Sequence, residues 1–391
     1  MPVLYEYEPK SLDLTRVQAE ALQRTGVCEV SPLAGGRWQV TPSSTVGTIA
    51  VADVKLLIRP KINPENLFLL LEPGLPRSAW RQESFDYDVT SDLLPSVIAF
   101  FARTVETTLG RGVLRSYVSR DEPLIAIRGR LDVAAQFAQG GVLSPVACTF
   151  DDYSEDIAEN RILRAAIRRA LRVPRIDPLE RRRLLQQLGH LDSVSDVAVG
   201  PDAVDAIQVS RLNRHYSPAL GLSRLILANL TLADARGSTS AASFTVDMNH
   251  VFQRFLTERL RRELRGVLDV RDEPTVHLGA GRTVPMKPDL VFQQGGAVRH
   301  VGDIKYKLAR DARGRSGDYY QLLAYTTALS LPAGVLVYCR GQGDAVHHTI
   351  SVRNAGTTLS VRAIDLTGTP EQVDAEITAL ASAIRDAALR S

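Results

Sequence analysis

Two acidic residues and one lysine lie on neighbouring apolar segments in the C-terminal third of the chain. The first segment reads Lys-Pro-Asp-Leu-Val-Phe over residues 287–292, and the second reads Val-Gly-Asp-Ile-Lys-Tyr-Lys over residues 301–307. Both patterns predict strands, and because side chains alternate along a strand, Asp303 and Lys305 point to the same face. Asp289 and Asp303 would supply the oxygen ligands that Mg²⁺ prefers. Lys305 would orient an attacking water and offset the charge that develops on phosphorus.

The same motif has a plain structural alternative. An exposed hairpin with a turn at 293–296 and a cross-strand Asp–Lys ion pair would contain the same residue types. The next predicted helix favours the chemical interpretation, since Gln321 and Tyr325 are four residues apart and share one face of it. The order Pro-Asp, spacer, Asp-x-Lys, Gln-x-x-x-Tyr resembles one branch of the PD-(D/E)xK nuclease superfamily. The resemblance implies that Gln321 and Tyr325 support the catalytic strand or contact the nucleic-acid backbone.

Composition excludes several classes of protein. With 391 residues, the chain is long enough for two or three domains, each with its own core. No apolar segment approaches the length of a membrane span, and the first residues have no signal-peptide pattern, so we expect a cytoplasmic protein. Cys28, Cys148 and Cys339 are widely separated, which argues against disulfides and structural zinc. The sequence has no Gly-x-x-x-x-Gly-Lys-Ser/Thr phosphate loop, so any nucleotide-driven motor must be a partner.

The hydrophobic pattern predicts three consecutive domains. Residues 1–85 contain short strand-like runs separated by Pro and Gly, which is typical of a β-rich module. Residues 86–235 are mainly helical by their period. A small, polar linker follows, and residues 240–391 alternate strands and helices in a pattern typical of a compact α/β unit. We therefore predict an α+β multidomain protein.

Arginines are concentrated in the predicted helical region. Nine of them lie between Arg161 and Arg183, although the net charge of the chain is only +3. Two interpretations stay open: a solvated helix face, or contact with phosphate on DNA or a nucleotide-bearing partner. The acidic residues just before this cluster are interpreted as a helix start, at which Ser154 caps and Glu155 and Asp156 favour the positive end of the helix dipole.

Several segments, in this order, resemble the McrC family, the nuclease subunits of McrBC modification-dependent restriction systems. They are Ile-Arg-Pro-Lys-Ile at 58–62, Gly-Arg-Gly-Val-Leu-Arg-Ser-Tyr-Val at 110–118, Arg-Gly-Arg-Leu-Asp-Val at 128–133, the segment 150–163 and the nuclease motif. The resemblance implies a Mg²⁺-dependent type IV restriction endonuclease subunit with a C-terminal PD-(D/E)xK restriction-endonuclease-like domain. It also implies a partner, the hexameric AAA+ GTPase McrB, which binds GTP, reads 5-methylcytosine and moves DNA. The β-rich part of McrC is expected to enter that ring and stimulate GTP hydrolysis.

One departure from the family concerns the first helix of the predicted nuclease domain. Where the family commonly has an acid, this chain has Gln253 followed by Arg254, which leaves Glu258 as a substitute third acid. Two alternative functions follow: a nuclease that acts on single strands or ends, as other Gln-x-x-x-Tyr nucleases do, or a catalytically weakened assembly and GTPase-activating factor. The retained acidic pair and lysine argue against the weakened factor, because buried charges are costly to keep without a use.

Overall fold

The computed structural model describes residues 1–71, 93–138, 140, 142, 144–174, 176–232, 242–308, 316–340 and 347–390. The protein is a mixed α+β protein, as predicted, and it divides into two compact units. The first contains Met1–Ser96 and Ser243–Ser391, and the second contains Val97–Ala242. The predicted domain boundaries near residues 85 and 235 lie outside the described residues. The first and last of the three predicted domains thus share one compact unit.

The N-terminal residues form helices as well as the predicted strands. The elements are β1 (Val3–Tyr5), β2 (Lys10–Leu12), α1 (Arg16–Arg24), β3 (Cys28–Pro32), β4 (Trp38–Pro42), β5 (Thr45–Val51), β6 (Val54–Arg59) and α2 (Pro64–Leu71). Strands β5 and β6 form a hairpin, and Ala52 and Asp53 in its turn both have positive φ, as type I′ turns require. The prediction missed α1 and α2. In α2 the residues Leu67–Leu71 are all buried, and a short run of this kind has no helical period to read.

The second compact unit combines a small sheet with packed helices. Its elements, together with the helix that leads into it, are α3 (Leu93–Leu109), β7 (Ser116–Leu124), β8 (Arg130–Leu131), α4 (Val133–Ala138), β9 (Val146–Ser154), α5 (Ala158–Leu171), α6 (Pro178–His190), α7 (Asp202–Asp205), α8 (Ser217–Asn229) and β10 (Leu230–Leu232). Strands β7, β9 and β8 form an antiparallel sheet in that order. Helix α5 packs against α6 and α8.

The predicted start of α5 was wrong. Strand β9 continues through Ser154, and the N-cap of α5 is Ile157, whose side chain makes no capping hydrogen bond. The two acids bind arginines instead: Glu155 lies 2.6 Å from Arg115, and Asp156 accepts two hydrogen bonds from one guanidinium further along α5. The carboxylates therefore tie α5 to its surroundings through ion pairs.

Most of the clustered arginines with a described contact bind groups of their own unit. Arg161 binds Asp156 at 2.7 and 2.8 Å. Arg164 donates to the Leu191 carbonyl, and Arg169 donates to the Leu230 carbonyl at 2.6 and 2.9 Å. These contacts give the arginines a structural use that neither sequence interpretation included.

The C-terminal residues build a six-stranded sheet. The elements are β11 (Ala242–Asp247), α9 (Met248–Glu263), β12 (Asp269–Asp272), β13 (Val276–Gly279), β14 (Thr283–Met286), β15 (Leu290–Gln294), β16 (Ala297–Leu308), α10 (Ser316–Ala328), β17 (Ala333–Arg340), β18 (His347–Ser351), β19 (Thr358–Asp365) and α11 (Pro370–Arg390). The strand order is β12-β15-β16-β17-β19-β18. Strands β15 and β16 form the predicted hairpin, while β16, β17 and β19 are parallel. Strand β19 was not predicted.

Helices cover both faces of this sheet. Helix α10 packs on β16 and β17, on the face that presents Val301, Leu336 and Val361. Helices α9 and α11 pack on β16 and β19 from the opposite face. Strands buried on both faces are typical of parallel sheets with helical crossovers. Among the residues that the structure describes, no helix has the length and apolar character of a membrane span.

The N-terminal and C-terminal parts of the first compact unit meet through a strand pair. Strand β5 is antiparallel to β11, with Val46 opposite Val246. A side chain at Gly47 would collide with the Phe244 carbonyl, so this pairing requires a residue without Cβ. Helix α2 packs against α9 and α11. Residues 1–71 are therefore built into the unit that contains the six-stranded sheet, which the prediction of a separate 1–85 domain did not anticipate.

Candidate functional site

Asp303 and Lys305 lie side by side on β16, beneath α10. Asp303 is 0% exposed, and its Oδ2 atom lies 2.7 Å from Nζ of Lys305, whose side chain is 20% exposed. The two residues share a face because one residue separates them on the strand. The alternative of an exposed hairpin with a surface ion pair does not fit, because Asp303 is fully buried.

Asp289 is held beside Asp303 by two hydrogen bonds. It directly precedes β15, and its Oδ2 atom accepts the Ile304 N–H at 2.7 Å. Its Oδ1 atom accepts Nε2 of Gln253, on α9, at 3.3 Å. The Ile304 amide lies between Asp303 and Lys305 in the chain, so this bond fixes the first acid against the strand that carries the second.

Burial and neighbouring charges shift the pKa values of Asp303 and Lys305. Burial raises the pKa of Asp303 to about 7, with a further contribution from the charge of Asp289 and an opposing one from Lys305. The Oδ1 atom of Asp303 is buried and has no hydrogen-bond partner in the described part of the chain. Burial lowers the pKa of Lys305, but the charge of Asp303 and the smaller contributions of other carboxylates outweigh it, so the net shift is upward. A buried acid with a strongly shifted pKa and an unpaired oxygen is typical of a functional site.

Gln321 and Tyr325 lie one turn apart on α10 and contact each other. Gln321 Nε2 donates to the Tyr325 hydroxyl at 2.7 Å, and that hydroxyl donates to the Lys287 carbonyl at 3.1 Å. Burial raises the pKa of Tyr325, and the charges of Asp303 and Asp289 add to the shift. The structure therefore brings all five predicted site residues to one region, with Tyr325 supporting the segment that leads to Asp289.

The predicted substitute acid, Glu258, is not part of this cluster. It is exposed and pairs with Arg261 at 2.8 Å. Gln253 instead donates to Glu273, at 3.0 Å, as well as to Asp289. Sequence reasoning missed Glu273, because it lies in the turn after β12 and no spacing relates it to the motif. The contact became visible only with the fold.

The donor set fits Mg²⁺ with a small number of protein ligands. No group of three or more His, Cys, Asp or Glu side chains that could hold a metal occurs among the residues described. Mg²⁺ is commonly bound by one or two carboxylates together with waters and substrate phosphates. The two aspartates meet that requirement, and the unpaired Oδ1 of Asp303 is an oxygen that the protein itself does not satisfy.

Comparisons with known proteins agree with this arrangement of the fold. Residues 40–339 match the family described as "McrBC 5-methylcytosine restriction system component". A search of curated proteins finds no significant match. The chain is similar to a solved chain from a half-complex of the tetradecameric assembly of Thermococcus gammatolerans McrB AAA+ hexamers with bound McrC. The TM-score is 0.55 and the identity 20%, over 98% of this chain and 99% of that one.

A second solved chain, from the cryo-EM structure of the Thermococcus gammatolerans McrBC complex, is 21% identical. It covers 69% of this chain and 89% of its own length, with a TM-score of 0.44. At these identities the first likeness indicates a shared fold over nearly the whole of both chains. The role of individual residues must come from the site itself.

Proposed function

Because this chain belongs to the McrBC 5-methylcytosine restriction family, we propose that it is the McrC-type subunit that cleaves DNA with Mg²⁺. The observation that supports this most is the cluster of Asp289, Asp303 and Lys305. It combines a fully buried acid that has an unpaired oxygen with a second acid fixed beside it and a lysine on the same strand face. Metal-dependent phosphodiester hydrolysis uses hard oxygen ligands for the ion and a positive charge that offsets the charge developing on the phosphate.

The roles of the side chains follow from their contacts. Asp289 and Asp303 would hold the ion, which when bound polarises the phosphate and lowers the pKa of a water. Because the pKa of Lys305 is raised, its amine stays protonated near neutral pH. It therefore acts as a hydrogen-bond donor and a positive charge toward the phosphate, and a general base must be sought elsewhere. Tyr325 fixes the Lys287 carbonyl and thereby the approach of the chain to Asp289.

We assign to this subunit a partner of the McrB type, a hexameric AAA+ GTPase. Family membership supports the assignment, as does the similar solved chain, which comes from an assembly of McrB AAA+ hexamers with bound McrC. The sequence itself has no phosphate loop, so GTP binding and hydrolysis belong to the partner. We likewise assign DNA movement and recognition of the modified base to the partner.

Gln253 favours a second candidate function. This amide stands where the family commonly has an acid, and it binds both Glu273 and Asp289. An amide cannot add the negative charge that a third carboxylate would give a metal site. The second candidate is therefore an assembly and GTPase-activating factor with weakened cleavage.

Cleavage of methylated plasmid by the full-length chain with its partner, GTP and Mg²⁺ tests the assignment. We expect Asp303→Asn and Asp289→Asn to abolish cleavage while GTPase stimulation is kept, because each removes a ligand charge and little volume. Asp269→Asn, an exposed acid on β12 of the same sheet, is the matched control and should cut normally.

Each contrary outcome points to a different error. Normal cleavage by both variants would show that the site lies elsewhere. A wild-type chain that stimulates GTP hydrolysis but never cuts would favour the weakened factor. Cleavage of linear or single-stranded DNA only, with closed circles left intact, would favour the end-directed branch of Gln-x-x-x-Tyr nucleases.

A further inference from the structure

The pairing of β16 with β17 changes directly after Lys305. That residue pairs with Tyr338, and the next paired residue of β16 is Leu308, opposite Cys339. The two residues between them, beginning with Tyr306, are therefore an insertion in the parallel ladder. Such a bulge bends the strand, re-aims the neighbouring side chains and leaves backbone groups without a partner in the ladder.

The N-terminal segment binds this bulge at two points. The Tyr7 hydroxyl donates to the Tyr306 carbonyl at 3.1 Å, and the Tyr306 hydroxyl donates to Oε1 of Glu6 at 2.8 Å. The Lys61 N–H donates to the same Glu6 oxygen at 2.7 Å. Glu6 is 1% exposed and Tyr306 is 3% exposed. Residues 300 positions apart thus hold both the backbone and the side chain of the bulge.

This arrangement is costly for folding. Tyr7 has a φ of 60°, in a region that side chains other than glycine rarely adopt. Burial raises the pKa of Glu6 to about 7, and its Oε2 atom has no hydrogen-bond partner among the residues with a described position. Backbone strain and incompletely paired buried groups are concentrated at sites where function requires a fixed geometry.

We infer that Glu6 and Tyr7 are positioning residues for the nuclease site. Tyr306 follows Lys305 directly, so a fixed carbonyl and ring at Tyr306 set the direction in which Lys305 leaves the strand toward Asp303. The inference rests on the proposed function, in which Lys305 acts on the phosphate. It makes the N-terminal segment a part of the cleavage machinery, because a displacement of Glu6 and Tyr7 would move the lysine.

The test uses full-length chains in complex with the partner and compares Tyr7→Phe with Tyr5→Phe. The first removes the hydroxyl that donates to the Tyr306 carbonyl and that also contacts the Ser44 side chain. Tyr5 lies two residues earlier, is 42% exposed, and its hydroxyl makes no hydrogen bond with the described residues, so Tyr5→Phe is the matched control. For Tyr7→Phe we expect kcat for DNA cleavage to fall about tenfold with KM within about twofold, as for a misplaced catalytic group. Tyr5→Phe should behave as wild type.

Amide hydrogen exchange gives a second measurement that does not depend on cleavage. Exchange over residues 303–308 should be faster in Tyr7→Phe and unchanged in Tyr5→Phe, because only the first loosens the bulge. Glu6→Gln, which keeps an oxygen acceptor for Tyr306, should restore most of the activity that Glu6→Ala loses. If Tyr7→Phe does not fold, Tyr306→Phe takes its place, since it removes the bond to Glu6 and keeps the carbonyl.

The outcomes separate this inference from the proposed function. Equal kcat and equal exchange in Tyr7→Phe and Tyr5→Phe would overturn the positioning role while leaving the nuclease assignment intact. A lower melting temperature in Tyr7→Phe with kcat and exchange over 303–308 unchanged would also overturn it. If the wild-type chain does not cut DNA, the proposed function fails, and the exchange comparison still decides whether Glu6 and Tyr7 hold the strand.

Discussion

Two of the sheets in this protein place apolar side chains in opposite surroundings. In the six-stranded sheet, the central strands are covered by helices on both faces, and Leu336 and Val361 are 0% exposed. In and beside the sheet of β7, β9 and β8, large apolar side chains face solvent: Tyr117 on β7 is 72% exposed, Ile125 directly after β7 is 92% exposed, and Phe137 on α4 is 79% exposed. We call the described residues between Ser116 and Ser154 the hairpin surface.

The difference shows what each sheet is suited to. Burial on both faces lowers the local dielectric, which raises the pKa of Asp303 and strengthens its interaction with Lys305. That environment suits chemistry on a charged substrate. Large apolar side chains that face solvent in one region are typical of an interaction surface. That the residues 1–85 enter the partner ring stays a prediction, and the hairpin surface is a second place at which to look for the partner.

Among the changes that compare these two sheets, the largest effect should come from removing the lysine of the buried sheet. Lys305→Met keeps most of the unbranched side chain and removes its charge, so cleavage should slow by about 10²–10⁴-fold, the usual range for a positioned catalytic group. Steady-state cleavage with the partner measures it, and a thermal melt shows whether the chain still folds. Lys55→Met, an exposed lysine on β6, is the control. A full cleavage rate without Lys305 would remove the chemical role of this sheet.

The next largest difference between the two regions should be the loss of unfolding free energy when an apolar side chain is truncated. Leu336→Ala opens a cavity in a fully buried core and should cost about 2–5 kcal/mol of unfolding free energy. Ile125→Ala removes the same kind of side chain from an exposed position and should cost less than about 0.5 kcal/mol. Chemical denaturation measures both.

Ile125→Ser combined with Phe137→Ser should weaken partner binding in a titration, and unchanged binding would show that the hairpin surface serves another purpose.

The smallest effect concerns pH and the buried acid. The pKa of Asp303 is about 7 in the folded chain, whereas the ordinary value of an Asp side chain is 3.8. Between these pH values the folded state therefore binds more protons than the unfolded state. Stability of the metal-free protein should therefore fall as pH rises from about 4 through 7. Asp303→Asn should remove this pH dependence. The unfolding free energy of the variant minus that of the wild type should therefore be about 1–3 kcal/mol larger at pH 8 than at pH 5. Denaturation in a chelator measures it, with Asp269→Asn as control.

A stability difference independent of pH would mean that Asp303 is ionised throughout, and so less buried than the fold implies. Added Mg²⁺ provides the complementary check. If the ion binds the ionised pair, it should raise the stability of the wild type at pH 8 and leave Asp303→Asn nearly unchanged.

The local pattern of the sequence was enough to predict the elements that carry the site. The hairpin of β15 and β16 follows from two apolar runs joined by Gly295 and Gly296, and side-chain alternation places Asp303 and Lys305 on one face. Helices α9 and α11 follow from their apolar period in the same way. These features depend on residues a few positions apart, so they can be read without knowing the fold.

Only the tertiary structure decided what surrounds those residues. The burial of Asp303, the bond from the Ile304 N–H to Asp289 and the contact of Gln253 with Glu273 all depend on which strands and helices become neighbours. The place of β19 between β17 and β18 belongs to the same class, because strand order is set by long-range pairing.

The union of the two chain ends is the clearest case. Ser44 donates to Asp247, 203 positions later, and Glu6 accepts from Tyr306, 300 positions later. No periodicity or spacing links residues so far apart. These residues come into contact because β5 pairs with β11 in the folded sheet. The contacts of the N-terminal segment near the site therefore depend on the whole fold.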